Sequence, residues 1–264
     1  MPERENLDRI VNIVPSKGIE NDWLIRDALG AGVVSASATP PASKDLREDW
    51  WQIGDQGATG SCVGWGTAEG VLRQHFVKAA KIQQNERLSP RFIWMAAKES
   101  DEFDDRPSTF IEKEGTSLKA ALDIARKFGA VKESVLGFDS NELFQGDENT
   151  FYAIAAQLKI ASYFNLFKNF SEWRDWLATK GPILVALKVD ETWDNATQSK
   201  GNLDAFKPDT VRGGHAVSVV GYHEDGRFII RNSWGTGWGD HGFGFATEEY
   251  IQGAFFDEAY GVNL

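Results

Sequence analysis

The chain has one cysteine, Cys62, at the end of the segment Gln56-Gly57-Ala58-Thr59-Gly60-Ser61-Cys62. From Ser61 onward Val63, Trp65, Ala68, Leu72, Phe76 and Ala79 recur at the spacing of one helix face, so a long helix is expected to start at Ser61 or Cys62. A thiol there lies among unsatisfied N–H groups at the positive end of the helix dipole, which favours the thiolate, the nucleophilic form. Gly60 would let a substrate backbone come close. Gln56 can return its side-chain amide beside the Cys62 N–H, and two such donors make an oxyanion hole for acyl transfer. The plainer alternative is a glycine-rich turn before a buried helix whose cysteine only packs.

A base for that thiol is offered by Gly213-Gly214-His215-Ala216-Val217-Ser218-Val219-Val220-Gly221-Tyr222, where His215 opens an apolar strand. Glu224-Asp225-Gly226 reads as a hairpin turn, which brings His215 opposite about residue 235 and within reach of Asn232. An Asn232 amide oxygen accepting the imidazole N–H would fix the tautomer and ring orientation, and Trp234 could shield that bond from water. His75, His223 and His241 have no ligand spacing and read as surface or helix residues, and no metal ligand set or cofactor motif is present. The other readings are a satisfied strand histidine, a turn asparagine and a core tryptophan.

The elements that must hold these residues divide in two. Besides the helix at Cys62, Ser89-Pro90 starts a second, with a cap residue before a proline at the first helical position. Thr116-Ser117 caps a third, whose stripe of Leu118, Ala121, Leu122, Ala125 and Phe128 ends at Gly129. After about residue 160 the pattern becomes that of short strands, at 183–189, 216–222 and 228–230. Helices followed by antiparallel strands predict an α+β protein of two lobes with a cleft between them.

With 42% hydrophobic and 25% charged residues the composition is that of a globular protein with a sizeable core. A net charge of −11 repels phosphate backbones and anionic lipid, so neither nucleic acid nor a membrane is an expected partner. No apolar run reaches the ~20 residues of a bilayer span, and MPERENLDRI has no signal-peptide character, so a cytoplasmic monomer is expected. Asn169-Phe170-Ser171 and Asn195-Ala196-Thr197 match glycosylation sequons by chance on this reading.

Together the segments Gln56-Gly-x-x-Gly-Ser-Cys62, Gly214-His215-Ala216-Val217 with Val220-Gly221-Tyr222, and Asn232-Ser-Trp-Gly-Thr-Gly-Trp-Gly239 resemble the papain-like cysteine peptidases over about residues 40–264. The resemblance implies a helical left lobe (about 41–160), a β-barrel-like right lobe (about 161–264) and an extended peptide or protein substrate in the cleft. It implies Cys62 as nucleophile, His215 and Asn232 as its partners, Gln56 as oxyanion donor, and no cofactor or metal. Trp234, Gly214 and Gly115 are the implied substrate-side residues, Gly115 as a backbone-pairing glycine. The Cys-to-His spacing exceeds the roughly 130–150 residues known for papain itself, which points to an insertion at 99–114 or 190–205. Thr59 stands where plant members have a cysteine, and Val63-Gly64-Trp65 replaces the usual Trp-Ala-Phe. The same residues would serve a transpeptidase or deamidase, and a non-catalytic binding protein of this fold is the rival class.

Residues 1–40 precede Asp45-Leu46-Arg47, which resembles the start of the mature domain, and Pro40-Pro41 reads as a connector. They carry Ile10, Val11, Ile13, Val14, Trp23, Leu24, Ile25 and Leu29, too much apolar surface for a solvated tail. The expectation is a short pro-segment that packs on the domain, covers the cleft, and is released by cutting near 35–44. The alternative is an N-terminal elaboration packed away from the site.

Overall fold

The computed structural model describes residues 8–34, 39–100, 114–139 and 146–264. In chain order they form α1 (Ile25–Gly30), β1 (Lys44–Asp45), α2 (Cys62–Thr67), α3 (Arg73–Lys78), α4 (Pro90–Ser100), α5 (Leu118–Lys127) and α6 (Glu148–Ala155). There follow β2 (Ser162–Asn165), α7 (Phe170–Thr179), β3 (Ile183–Val189), α8 (Glu191–Asp194), β4 (Asn202–Leu203), β5 (Gly213–Tyr222), β6 (Phe228–Arg231), β7 (Phe243–Ala246), α9 (Glu248–Ala254) and β8 (Phe255–Asn263).

The helices begin where their cap residues stand. Ser89 Oγ accepts the Phe92 N–H at 3.0 Å ahead of α4, and Ser117 Oγ accepts the Ala120 N–H at 3.3 Å ahead of α5. α5 buries Leu118, Ala121, Leu122 and Ala125 as its stripe requires, and it stops at Gly129, whose φ of 106° only glycine adopts readily. Phe128, expected in that stripe, lies at the C-terminal end and stays largely exposed.

The helix from Cys62 is not one regular helix. Between α2 and α3, Ala68–Leu72 form a π-helical turn. That turn carries the buried Glu69, which accepts from Arg73 at 2.9 Å, Arg87 at 3.0 Å and the Leu88 N–H at 2.8 Å. A buried carboxylate needs such partners, and the extra residue in the turn puts it where they converge. Within the same turn a side chain at Gly70 would meet Ser218 Oγ at 2.5 Å, so glycine lets the helix lie directly on β5.

The strands form one sheet in the order β2-β8-β3-β5-β6-β7-β4, with β1 on β5. All pairs are antiparallel except β4 with β7, a parallel two-residue contact that the antiparallel expectation missed. The hairpin closes as the turn residues predict: Gly221 pairs with Ile229, and after a bulge Ser218 pairs with Arg231.

Side-chain alternation on β3 connects the two lobes. Leu184 and Ala186 point into the core of the helices, with Cys62, Val63, Leu118 and Leu122. Ile183, Val185, Leu187 and Val189 point into a second core with Trp173, Trp176, Trp193, Trp234 and Trp238. The strand layer is therefore shared by both lobes, and β5 brings His215 to the seam.

Residues 8–34 contribute to both cores: Ile13 to the first, and Ile25, Ala28 and Val34 to the second. Trp23 and Leu29, expected to be covered, are exposed. Of the expected cleavage region, residues 35–38 lie outside the described residues, as does most of the suggested insertion at 99–114.

Candidate active site

Cys62 is the first residue of α2, and its sulfur is approached by the N–H groups of Ala216, Val63 and Cys62 itself. Ala216 follows His215 on β5, so the thiol lies against the start of that strand. His215 Nε2 is 2.8 Å from Asn232 Oδ1. The same Oδ1 accepts the Ser233 N–H at 2.8 Å, which fixes the amide orientation and makes Nε2 the protonated nitrogen. His215 Nδ1 has no hydrogen-bond partner among the described residues and is left as the acceptor nitrogen.

Two indoles pack on this histidine and a third backs them. The Trp234 ring lies 4.9 Å from the imidazole centroid, Trp193 meets it edge-on at 5.6 Å, and Trp238 stacks on Trp193 at 5.2 Å. The His215–Asn232 bond is thus kept dry, as expected of Trp234. Trp193 was not foreseen, because a tryptophan on the short helix α8 carries no signal in the sequence.

Gln56 is fully buried and held from three sides. Its N–H donates to Ser233 O at 2.8 Å, its Oε1 accepts from Ser233 Oγ at 2.8 Å, and its Nε2 donates to Thr59 O at 2.9 Å. Nε2 also faces the carbonyl of Ile10 at 3.4 Å. Ser233 was missed because its bond to Gln56 spans two segments far apart in sequence, and no local pattern signals it.

The N-terminal segment runs through this site. Arg9 bridges Asp55 and the carbonyls of Gly57 and Trp234; Ile13 N–H donates to Gly214 O at 3.1 Å; Val14 N–H donates to Thr116 O at 3.1 Å. A side chain on Gly115 would meet Asn12 O at 2.0 Å, and one on Gly213 would meet Val11 O at 2.0 Å. Gly115, Gly214, Gln56 and Trp234 therefore line one groove, and residues 9–14 lie along it. Ile13 is 6% exposed, against Gly214 and Phe256.

Burial decides the protonation of the pair in this covered state. It pushes the Cys62 thiol up to about 11 against the N–H groups that would lower it. It pulls His215 down to about 4 despite the bond to Asn232, with Arg212 and Arg9 adding to the same effect. The expected low thiol pKa at a helix start is therefore overridden here, because solvent is excluded from both groups. Of the other histidines, His75 is on a helix as expected but buried. Among the described residues no group of three or more His, Cys, Asp or Glu could hold a metal ion, and no helix is long and apolar enough to cross a membrane.

Residues 40–252 match the model of the papain family of cysteine proteases. Relatives include cathepsin B-like CP3 of Giardia intestinalis, 26% identical over 257 residues, covering 88% of this chain and 80% of that protein. A cathepsin L-like proteinase of Fasciola hepatica is 27% identical over 209 residues, covering 77% of this chain and 59% of that protein. Solved structures of the same fold include xylellain, a cysteine protease from Xylella fastidiosa, with a TM-score of 0.76 at 20% identity, covering 97% of this chain and 96% of that one. A digestive procathepsin L2 proteinase from Tenebrio molitor larval midgut gives a TM-score of 0.70 at 20% identity, covering 100% and 81%.

Proposed function

The chain belongs to the papain family of cysteine proteases and hydrolyses peptide bonds with a thiol, and we propose that Cys62, His215 and Asn232 carry the reaction while residues 8–16 restrain it. The observation that carries this reading is the meeting in one groove of the Cys62 thiol, the His215–Asn232 pair at 2.8 Å and the Gln56 amide.

His215 Nδ1 accepts the Cys62 thiol proton as Sγ bonds to the carbonyl carbon of a peptide. The carbonyl oxygen gains the electron pair and is held by Gln56 Nε2 and the Cys62 N–H. The imidazolium then gives its proton to the leaving nitrogen as the C–N bond breaks, and a thioester remains on Cys62. Water attacks that thioester, losing a proton to His215, and the acid leaves with the thiol restored. Asn232 keeps Nε2–H fixed throughout, so Nδ1 is always the nitrogen presented to the chemistry.

The leaving amine must face His215, on the Trp234 side, so the acyl part of a substrate extends toward Gly115. Residues 9–14 run the other way, from Trp234 and Gln56 toward Thr116. Their peptide bonds present the wrong polarity to the nucleophile, which supports a segment that occupies the groove without being cut in it. With the groove covered, burial keeps thiol and imidazole neutral; release of the segment returns water and favours proton transfer between them.

Comparison of the full chain with Arg9→Ala/Ile13→Asp on an internally quenched peptide tests both parts. Turnover that rises on loosening the segment and vanishes with Cys62→Ala is expected. Equal turnover with and without the two substitutions contradicts the restraint, and turnover that survives Cys62→Ala contradicts the nucleophile.

A further inference from the structure

Arg9 sits in a socket that the rest of the chain builds without it. Asp55 forms an isolated antiparallel bridge with Trp234, and Gly235 N–H donates to Gly54 O at 3.0 Å, so a loop from each lobe is held to the other at this point. Gly57 N–H donates to Asp55 Oδ1 at 2.8 Å and fixes the carboxylate. Around one guanidinium then stand both Asp55 oxygens, the Gly57 carbonyl at 3.1 Å and the Trp234 carbonyl at 3.3 Å. Every one of these atoms can only accept, and a guanidinium is the side chain with donors arranged in a planar fork to meet them. The Arg9 side chain is 13% exposed while the Asp55 side chain remains 51% exposed, so the socket opens to solvent and to the groove.

Its position gives it a place in catalysis. Trp234 packs on His215, which must protonate the leaving amine, so the socket lies on the leaving-group side of the nucleophile. Resting on the hydrolytic reading above, we propose that Asp55, with the Gly57 and Trp234 carbonyls, is a specificity site that selects substrates carrying an arginine on the amine side of the cleaved bond, and that Arg9 occupies it in the covered chain. The segment and the substrate thus compete for one charged anchor. A lysine would satisfy the charge but not the fork, and is expected to be accepted less well.

The test uses full-length chain loosened by Arg9→Ala/Ile13→Asp, with and without Asp55→Asn. Matched quenched peptides differ only in arginine or citrulline at each of the first three positions after the cleaved bond. A charge-assisted bond at a half-exposed site is expected to favour arginine in kcat/KM by roughly five- to tenfold at one position, and Asp55→Asn should bring that ratio to about one. A ratio of about one at all three positions, or a preference that survives Asp55→Asn, overturns the proposal. Binding of the same peptides to the Cys62→Ala form of each chain, read by fluorescence anisotropy, separates the two ideas. Arginine-selective binding without turnover in the Cys62 chain would contradict hydrolysis and keep the socket; equal or absent binding of both peptides would overturn the socket.

Discussion

The backbone N–H of Ile13 donates to the carbonyl of Gly214, 3.1 Å away, one residue before the histidine that pairs with Asn232. The segment is therefore hydrogen-bonded to the groove as an extended peptide would be, and its side chain fills the apolar space beside Phe256. Replacing Ile13 by alanine removes about 2 kcal/mol or more of packing, which shifts the ratio of covered to open chain by roughly thirtyfold or more. The expected outcome is faster labelling of Cys62 by an epoxide thiol reagent, read by mass spectrometry of a chain with a single cysteine. An unchanged labelling rate would mean that Ile13 does not hold the segment down.

Gln56→Ala should lower kcat by roughly 10²–10³ if its amide holds the oxyanion. Ser233→Ala should give a smaller loss in the same parameter, because it frees the Gln56 amide to rotate without removing it. Steady-state kinetics on the loosened chain check both, and a Gln56→Ala chain at full speed contradicts the oxyanion site.

In the open chain the rate should follow a bell-shaped dependence on pH, with the acid limb from formation of the thiolate–imidazolium pair and the alkaline limb from loss of the imidazolium proton. In the covered chain Cys62 is raised to about 11 and His215 lowered to about 4, so reagent labelling should rise only toward alkaline pH. The same profile for both chains would show that the segment does not set the protonation of the pair.

Glu258 on β8 accepts the Ser16 N–H at 3.2 Å and ties the segment to the domain just beyond the groove. Burial pushes this carboxyl up to about 7, against the bonds from Ser16 and Tyr260, and nearby Asp22 pushes the same way. Asp22 in turn pairs with Lys119 at 2.5 Å and accepts from Tyr260 at 2.7 Å. A folded value above the ordinary 4.5 means that the native state favours the protonated form. The stabilisation is full below about 4.5 and is lost as pH rises through about 7. Thermal unfolding of the full chain should show a falling contribution across that window, and Glu258→Gln should flatten it. An identical slope in Glu258→Gln would assign the dependence to other groups.

Much of this site is legible in the sequence because its chemistry is written in local pattern. Cys62 stands at a helix start, His215 at a strand start, and a three-residue turn sets the hairpin that delivers Asn232. The α5 helix was equally plain, since cap, stripe and terminal glycine agree. Relations between segments far apart in sequence left no such trace. Glu69 needs a π-helical turn that no periodicity announces, Ser233 joins Gln56 only through space, and the protonation of Cys62 depends on who covers it. Apolar residues in 8–34 signalled that the segment is buried, but which of them face the groove and which face the second core is decided by packing alone.

Whether Cys62 is the nucleophile of a groove covered by residues 9–14 is decided by peptide turnover of the Arg9→Ala/Ile13→Asp chain with and without Cys62→Ala. Turnover well above that of the unmodified chain is expected when Cys62 is present, and none when it is alanine; equal turnover by the cysteine and alanine forms would rule Cys62 out as the nucleophile.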